Sequence, residues 1–249
     1  MFDIYGRTVC GHGSEMEEEL SPACLAWKKE LQQDLAFQRN HNQFVNPGLE
    51  IDGSHISLPL GPLLADRIKA VARPASFSKT GANVVGHSPN LIWELDHDQF
   101  RITNPSWPAF LESIKQDVAQ SLGLALSDVD VEPDKLLLYE KGSFVRSHKV
   151  SQLNPEITGR LVICLPSGHT GGEICLEHAG KQCVFPTAPA SAFDLSALAW
   201  SSDVTKEVME TSSGRRLELV YSITPRPGTA KSADFFVKQH ARLKERIVS

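Results

Sequence analysis

Hydrophobic residues in the first half of the chain recur mostly at helical spacing. In residues 20–43, leucines stand among Lys, Glu and Gln, which predicts a helix. Residues 108–122 repeat this spacing, and a proline opens the segment, where the first helical turn tolerates it. Between them, residues 44–104 combine short apolar runs with Pro and Gly, which predicts short strands and turns.

From residue 134 onward, short apolar or alternating runs follow one another, separated by Gly, Pro, Asn or Ser clusters. The runs are KLLLYE, SFVRSHKV, RLVICLP, EICLEH, KQCVF, ASAFDL, ALAW, KEVME and RLELVYSI. About eight strands at this spacing predict an antiparallel sandwich or barrel rather than alternating strands and helices. We therefore predict one domain over residues 1–249, with helical support and N-terminal strands in 1–130, a β-barrel core in 131–225 and a helix in 226–249.

Composition narrows the classes of function. The 249 residues carry a formal net charge of −5 without a block of Lys or Arg, so nucleic acid is not an expected partner. No apolar run approaches the roughly 18 residues of a membrane span, and the N-terminus lacks a signal-peptide core. We expect a cytoplasmic protein with no membrane partner. The five cysteines form no CxxC pair, which favours reduced thiols over disulfides or a zinc site.

The most specific sequence features lie between residues 135 and 223. They are LLLYEKGSFVRSHKVSQ, GRLVICLPSGHTGGEICLEHAGKQ and SAFDLSALAWSSDVTKEVMETSSGRRLELVYSI. In this order they resemble fungal proteins of the prolyl-hydroxylase-like branch of the 2-oxoglutarate- and Fe(II)-dependent oxygenase superfamily. The resemblance implies a mainly β fold with flanking helices, a double-stranded β-helix of the jelly-roll or cupin-like type. It also implies a fungal origin.

The resemblance implies an iron site that this chain has largely lost. Family members bind iron through a His-x-Asp pair on one strand and a distant His on a later strand. By resemblance the first ligand is kept as His148, whereas Val150 replaces the Asp and Lys206 replaces the second His. Arg216 stands where the family Arg pairs with the 2-oxoglutarate carboxylate, and Tyr139 where a tyrosine contacts it. Valine has no lone pair and an ammonium cannot coordinate a cation, so we expect neither Fe(II) nor 2-oxoglutarate as cofactor.

Strand alternation predicts which side chains share the barrel interior. In SGRRLELVY, Arg216 and Glu218 fall on one face, and the inward carboxylate is expected to occupy Arg216 or to pair with Lys206. Arg146 shares a face with His148 by the same alternation. Lys206 restores the formal charge that iron and an Asp would supply together. The cavity would therefore suit an anionic or carbonyl-bearing small molecule.

These substitutions favour an enzyme that has kept the barrel and abandoned redox chemistry. In this hypothesis it catalyses a metal-independent cyclisation, isomerisation, elimination or pericyclic reaction in fungal secondary metabolism, with Lys206 as acid or cationic donor and Glu218 as its partner or base. The predicted catalytic residues are Lys206, Glu218 and His148. The predicted substrate-binding residues are Arg216, Arg146 and Tyr139.

Two other functions stay open. The chain could be a non-catalytic pseudo-oxygenase that regulates an active paralogue, as part of a homodimer or heterodimer. It could also be a Fe(II)- and 2-oxoglutarate-dependent dioxygenase with unusual ligands, for example His148 with Glu218. Structural interpretations stand beside these: Lys206 as a side chain reaching out of the barrel mouth, and Glu218 with Arg216 as a structural ion pair. His169 in the HTGGE turn is expected to be structural.

Overall fold

The computed structural model describes residues 36–75, 91–149, 156–178 and 180–226, which form two helices and fifteen strands. The helices are α1 (Pro62–Val71) and α2 (Trp107–Leu122). The strands are β1 (Ala36–His41), β2 (Leu49–Ile51), β3 (Ser54–His55), β4 (Arg73–Pro74), β5 (Ile92–Asp96), β6 (Phe100–Ile102), β7 (Val129–Glu140), β8 (Val145–Lys149), β9 (Gly159–Leu165), β10 (His169–Gly171), β11 (Ile174–His178), β12 (Lys181–Phe185), β13 (Leu195–Ser201), β14 (Thr205–Val208) and β15 (Thr211–Pro225). Val150 and the helix predicted for the C-terminal segment after residue 226 lie outside the described residues.

Two antiparallel sheets face each other across the barrel interior. The larger has the order β1-β13-β9-β15-β7-β5-β4, and β10 also pairs with β15; the smaller has the order β12-β11-β14-β8. From β7 to β15 the chain alternates between them: β8, β11, β12 and β14 belong to the smaller sheet, and β7, β9, β13 and β15 to the larger. This alternation defines a jelly-roll, or double-stranded β-helix. The predicted fold class is confirmed.

The larger sheet separates two hydrophobic cores. On its outer face, Leu138, Ile163 and Leu217 pack with α2 residues such as Ile114 and Val118. On its inner face, a second core spans the space between the two sheets and includes Val162, Leu198, Ile174 and Leu176. Successive residues of one strand belong to opposite cores because side chains alternate between the two faces of the sheet. The inner core is therefore the wall of the candidate site.

Helix α2 confirms the prediction for residues 108–122. Its buried face consists of Trp107, Ile114, Val118, Ala119 and Leu122. Proline lies in its first turn, and the helix ends at Gly123, whose φ of 64° is left-handed and favours glycine. Helix α1 was not predicted, because the apolar run in ISLPLGPLL indicated strands and turns. Proline at the start of α1 and its buried Ala65 and Ile68 explain the helix instead.

Two sequence predictions are wrong within the described residues. The helix predicted for 20–43 is a strand at its C-terminal part, because β1 pairs with β13 in the larger sheet. The partner strand supplies the backbone hydrogen bonds and overrides the local helical pattern. The strand predicted for ASAFDL is a turn, in which the N–H groups of Phe193 and Asp194 both bond to the carbonyl of Ala190.

Two further observations concern the predictions about membrane spans and cysteines. Among the helices described, neither is long and apolar enough to cross a membrane. The three cysteines within the described ranges, Cys164, Cys175 and Cys183, are thiols rather than disulfides. Cys164 belongs to the inner core and lies beside the candidate site.

Candidate functional site

Lys206 and His148 are paired neighbours on two adjacent strands of the smaller sheet. Lys206 on β14 is directly opposite His148 on β8, while Val208 is opposite Val145. Three steps along β8 therefore match two along β14, so β8 contains a bulge. Directly opposed residues of an antiparallel pair point to the same side. Lys206 is only 7% exposed and His148 is half-buried, so this side is the barrel interior.

The bulge removes Arg146 from the predicted cluster. Simple alternation predicted that Arg146 shares the inner face with His148, but the extra residue changes the phase of β8 and Arg146 is exposed. The main chain of Arg146 has the closer role: its carbonyl accepts a hydrogen bond from Nδ1–H of His148 at 3.0 Å. This bond leaves the lone pair of the neutral imidazole on Nε2.

The Lys206 ammonium has an unusual environment. Its Nζ lies 5.1 Å from the centroid of the Trp200 ring, within the range of a cation–π contact. Among the ion pairs of the described residues, none involves Lys206. Burial lowers the pKa of Lys206 from 10.5 to about 8; Glu218 opposes this shift and Arg216 adds to it. Both protonation states are therefore accessible near neutral pH.

Arg216 and Glu218 form an ion pair inside the barrel. They lie two residues apart on β15, as strand alternation predicts, and neither side chain has exposed surface. Nε of Arg216 lies 3.0 Å from Oε1 of Glu218. Burial lowers the pKa of Arg216, but Glu218, Tyr139 and Cys164 together outweigh burial, so that pKa is raised. Of the two predicted partners for Glu218, the structure shows Arg216.

The Arg216 guanidinium is held on two further sides. Its central carbon lies 4.1 Å from the centroid of the Tyr139 ring. Its Nη1 donates a hydrogen bond to the carbonyl of Gly172, which follows β10. A Cβ at position 172 would lie 3.0 Å from Nη1, and φ there is +73°, so glycine permits this approach. The Arg216 side chain is thereby fixed before any ligand arrives.

Several buried polar atoms in this cluster have no hydrogen-bond partner among the described residues. They are Arg216 Nε and Nη2, Glu218 Oε2, the Tyr139 hydroxyl and Trp200 Nε1. The thiol of Cys164 donates to Glu218 Oε1 at 3.6 Å. Burial raises the pKa values of Tyr139 and Cys164 well above their ordinary values, and Glu218 raises both further. The tyrosine and the cysteine are therefore neutral.

The donor set does not fit a Fe(II) site. The residue opposite His148 carries an amine, and Glu218 is engaged by Arg216. Within the described ranges, no three His, Cys, Asp or Glu side chains converge on a possible metal position. Nor does Arg216 fit a second carboxylate while Glu218 lies against its Nε. The described side chains at this place therefore do not fit the iron and 2-oxoglutarate sites that the resemblance implies.

Sequence reasoning missed two members of the cluster. Trp200 was recognised only as part of the predicted strand ALAW, although it lies beneath the Lys206 ammonium. Cys164 was treated as an ordinary thiol, although it contacts Glu218. Alternation was the available signal: Trp200 shares a face with Leu198, and Cys164 with Val162, all four in the inner core.

No protein-family model matches the chain, and no curated protein matches it. Solved structures with a similar course of chain include a Pseudomonas putida prolyl-4-hydroxylase, with 20% identity and a TM-score of 0.47 over 81% of this chain and 98% of that one. A 2OG-Fe(II) oxygenase family oxidoreductase from Burkholderia pseudomallei has 19% identity and a TM-score of 0.42, over 66% and 80%. A Trichoplax adhaerens prolyl hydroxylase has 14% identity and a TM-score of 0.44, over 83% and 95%. This similarity concerns the scaffold and says nothing about the chemistry of the site.

Proposed function

We propose that this protein is a metal-independent enzyme that uses Lys206 to transfer a proton on an anionic or carbonyl-bearing small molecule. The observation that carries the proposal is the buried amine of Lys206, whose pKa is about 8, on the inner wall of the barrel. A group whose pKa lies close to the working pH is the most effective general acid or base. Lys206 meets this condition because its desolvation is not offset by a paired carboxylate.

His148 is the second proton-transfer group in the proposal. Burial lowers its pKa, and the Lys206 ammonium lowers it further, so the ring is neutral at pH 7. Since its Nδ1–H is donated to the carbonyl of Arg146, Nε2 is the nitrogen that accepts a proton. One wall of the barrel then presents an acid, the Lys206 ammonium, beside a base, the His148 imidazole.

This pair suits reactions that begin with a proton shift next to a carbonyl group. The Lys206 ammonium donates to the developing oxyanion while His148 removes a proton from the adjacent carbon, and the reverse transfers at another carbon complete the step. This sequence is an isomerisation and needs no redox centre. In an elimination, the enol instead expels a leaving group from the next carbon, and that group takes the proton held by His148. In a cyclisation, the enol carbon attacks a carbonyl carbon of the same molecule, and the carbonyl oxygen takes that proton.

Hydrogen exchange in deuterium oxide tests the proposal. The protein is treated with a chelator and mixed with pyruvate, 2-oxobutyrate or acetoacetate, and loss of the C–H signals beside the carbonyl is followed by NMR. We expect catalysed exchange, and a fall of roughly 100-fold or more in Lys206→Met. Lys149→Met is the matched control, because Lys149 is the exposed neighbour of His148 on β8 and its replacement should leave the rate unchanged.

Three results would contradict the proposal. They are an unchanged exchange rate in Lys206→Met, a requirement for added Fe(II), and absence of exchange with every compound of the panel. The pH profile gives a further check, because the Lys206 ammonium acts as the acid. The rate should therefore fall as the pH rises through about 8.

A non-catalytic pseudo-oxygenase is the second candidate. The complete burial of the Arg216–Glu218 pair favours it, because these two charges already satisfy each other in part and present no surface to a substrate. In that case none of the panel compounds exchanges hydrogen, either with the unmodified protein or with Lys206→Met. Co-purification with an active paralogue would then identify the regulated partner.

A further inference from the structure

The Arg216–Glu218 pair has the composition of an occupied anion site. Arg216 supplies the cation, Tyr139 lies beneath its guanidinium, and the carbonyl of Gly172 fixes Nη1. The anion in this site is the carboxylate of Glu218, a residue of the same strand. A fully buried guanidinium without an anion would be strongly unfavourable, so the site requires an anion.

The Glu218 carboxylate fills only part of the hydrogen-bonding capacity of the Arg216 guanidinium. Its contact with Arg216 runs through Nε and Oε1 at 3.0 Å, without hydrogen-bond geometry at Nε. Arg216 Nη2 and Glu218 Oε2 have no hydrogen-bond partner among the described residues. An arginine fork binds a carboxylate best through two parallel hydrogen bonds. The short backbone tether of Glu218 therefore holds its carboxylate in a geometry that an untethered carboxylate would improve.

We propose that Glu218 is a built-in carboxylate that occupies the Arg216 site and excludes free carboxylates, 2-oxoglutarate among them, from that site. Removing it converts Arg216 into a receptor for small carboxylates. This inference is independent of the proposed function, because Lys206 and proton transfer play no part in it. Failure of one therefore leaves the other standing.

The size of the expected ligand follows from the side chain that is removed. Glu218→Ala deletes a methylene and a carboxylate, which together match acetate. Glu218→Gly deletes one carbon more, which matches propionate. The Gly172 and Tyr139 contacts that position Arg216 do not involve Glu218, so the receptor should stay assembled in both variants. The preferred carboxylate should change with the variant.

Thermal unfolding with and without carboxylate tests the inference. Each variant should lose roughly 10 °C in melting temperature in sodium chloride, because Arg216 becomes an unpaired buried charge. About 0.1 M acetate should return roughly 5 °C to Glu218→Ala, and propionate should do the same for Glu218→Gly, relative to chloride at equal ionic strength. The double variant Arg216→Met/Glu218→Ala should show no carboxylate-specific gain. If a single variant does not fold in chloride, its refolding yield in acetate or propionate replaces the melting temperature.

The unmodified protein provides a measurement that needs no variant to fold. Calorimetric titration with 2-oxoglutarate, succinate and acetate should give no binding heat that depends on Arg216. The inference is overturned if the unmodified protein binds one of these carboxylates and Arg216→Met abolishes that binding. It is also overturned if acetate and propionate stabilise or refold the Glu218 variants no more than chloride does.

Discussion

Lys206 places an ionisable amine where burial disfavours its charged form. Its side chain is almost completely buried, and its ammonium has an aromatic ring rather than a carboxylate as its nearest identified partner. Transferring a charge from water into a protein interior is costly unless it is paired. A charged side chain that occupies such a place at the expense of stability is typical of a functional site.

Replacing Lys206 with methionine should therefore stabilise the protein near neutral pH. The folded-state pKa of Lys206 is lowered to about 8, so below that value folding has to bury the ammonium. The shift corresponds to about 3 kcal/mol, which Lys206→Met should recover at about pH 7. Because the unfolded state binds more protons between about pH 8 and 10.5, the unmodified protein should gain stability over that interval, whereas the variant should not.

Urea unfolding at about pH 7 and about pH 10 measures both effects. Lys149→Met serves again as the exposed control, since its stability should stay within about 0.5 kcal/mol of the unmodified protein. A variant Lys206→Met that is less stable at pH 7 would show that the ammonium is paired, and would contradict the reasoning.

At the scale of the elements, regular strands were predictable and their irregularities were not. Alternation along β15 correctly placed Arg216 and Glu218 on one inner face, because the larger sheet pairs regularly there. The same reasoning failed for Arg146, because the bulge in β8 depends on pairing with β14. A bulge of this kind leaves no mark in local hydrophobicity.

Long-range pairing also limited the prediction of strand boundaries. The C-terminal part of segment 20–43 has a helical pattern, yet its pairing with β13 makes it a strand. ASAFDL is as apolar as its neighbours, yet Phe193 is 75% exposed and the segment turns. For β1 the deciding partner is a strand far away in sequence, which a local window does not contain. ASAFDL instead closes a turn through backbone hydrogen bonds to its own Ala190.

The hydrogen bonds of β10 give the fold a pH-dependent component. His169 donates from Nδ1 to the carbonyl of Ser167 at 2.8 Å, and its Nε2 accepts from Thr187 Oγ1 at 3.0 Å. Burial lowers the pKa of His169, so the folded state favours the neutral ring. This contribution is present above the ordinary histidine pKa of about 6.5 and is lost as the pH falls through the lower folded-state value.

Two variants test these contributions separately: Thr187→Val tests the hydrogen bond to His169, and His169→Gln tests the titration of the ring. Thr187→Val removes the hydroxyl donor and should lower the free energy of unfolding by about 1 to 3 kcal/mol, because His169 Nε2 loses its partner. His169→Gln cannot titrate, so it should lose less stability than the unmodified protein between about pH 7.5 and about pH 5. Thermal unfolding across that range decides the matter; equal pH dependence in both proteins would refute the assignment to His169.

At the scale of the whole molecule, one sheet serves both hydrophobic cores. Residues of the larger sheet face α2 on one side and the barrel interior on the other. A substitution that destabilises one core should therefore also destabilise the other, because the two cores share strands. We expect the helix-side core and the barrel interior to unfold as one cooperative unit.

Ile114→Ala tests this coupling from the side opposite the candidate site. Ile114 is completely buried on α2, so the truncation should reduce the free energy of unfolding by about 2 to 5 kcal/mol. Far-ultraviolet circular dichroism and tryptophan fluorescence should shift together, since Trp107 and Trp200 belong to the two different cores. Leu63→Ala is the control, because Leu63 on α1 is 85% exposed and its truncation should have little effect. Separate transitions for the two signals would show that the cores unfold independently.

The central position of β15 has a consequence for folding during synthesis on the ribosome. This strand pairs with β7 on one side and β9 on the other, and it carries both Arg216 and Glu218. While the chain emerges from the ribosome, β7 and β9 exist for many residues without the strand that joins them. Their exposed edges are then open to wrong partners. The barrel can close, and the Arg216–Glu218 pair can form inside it, only after β15 has emerged from the ribosome.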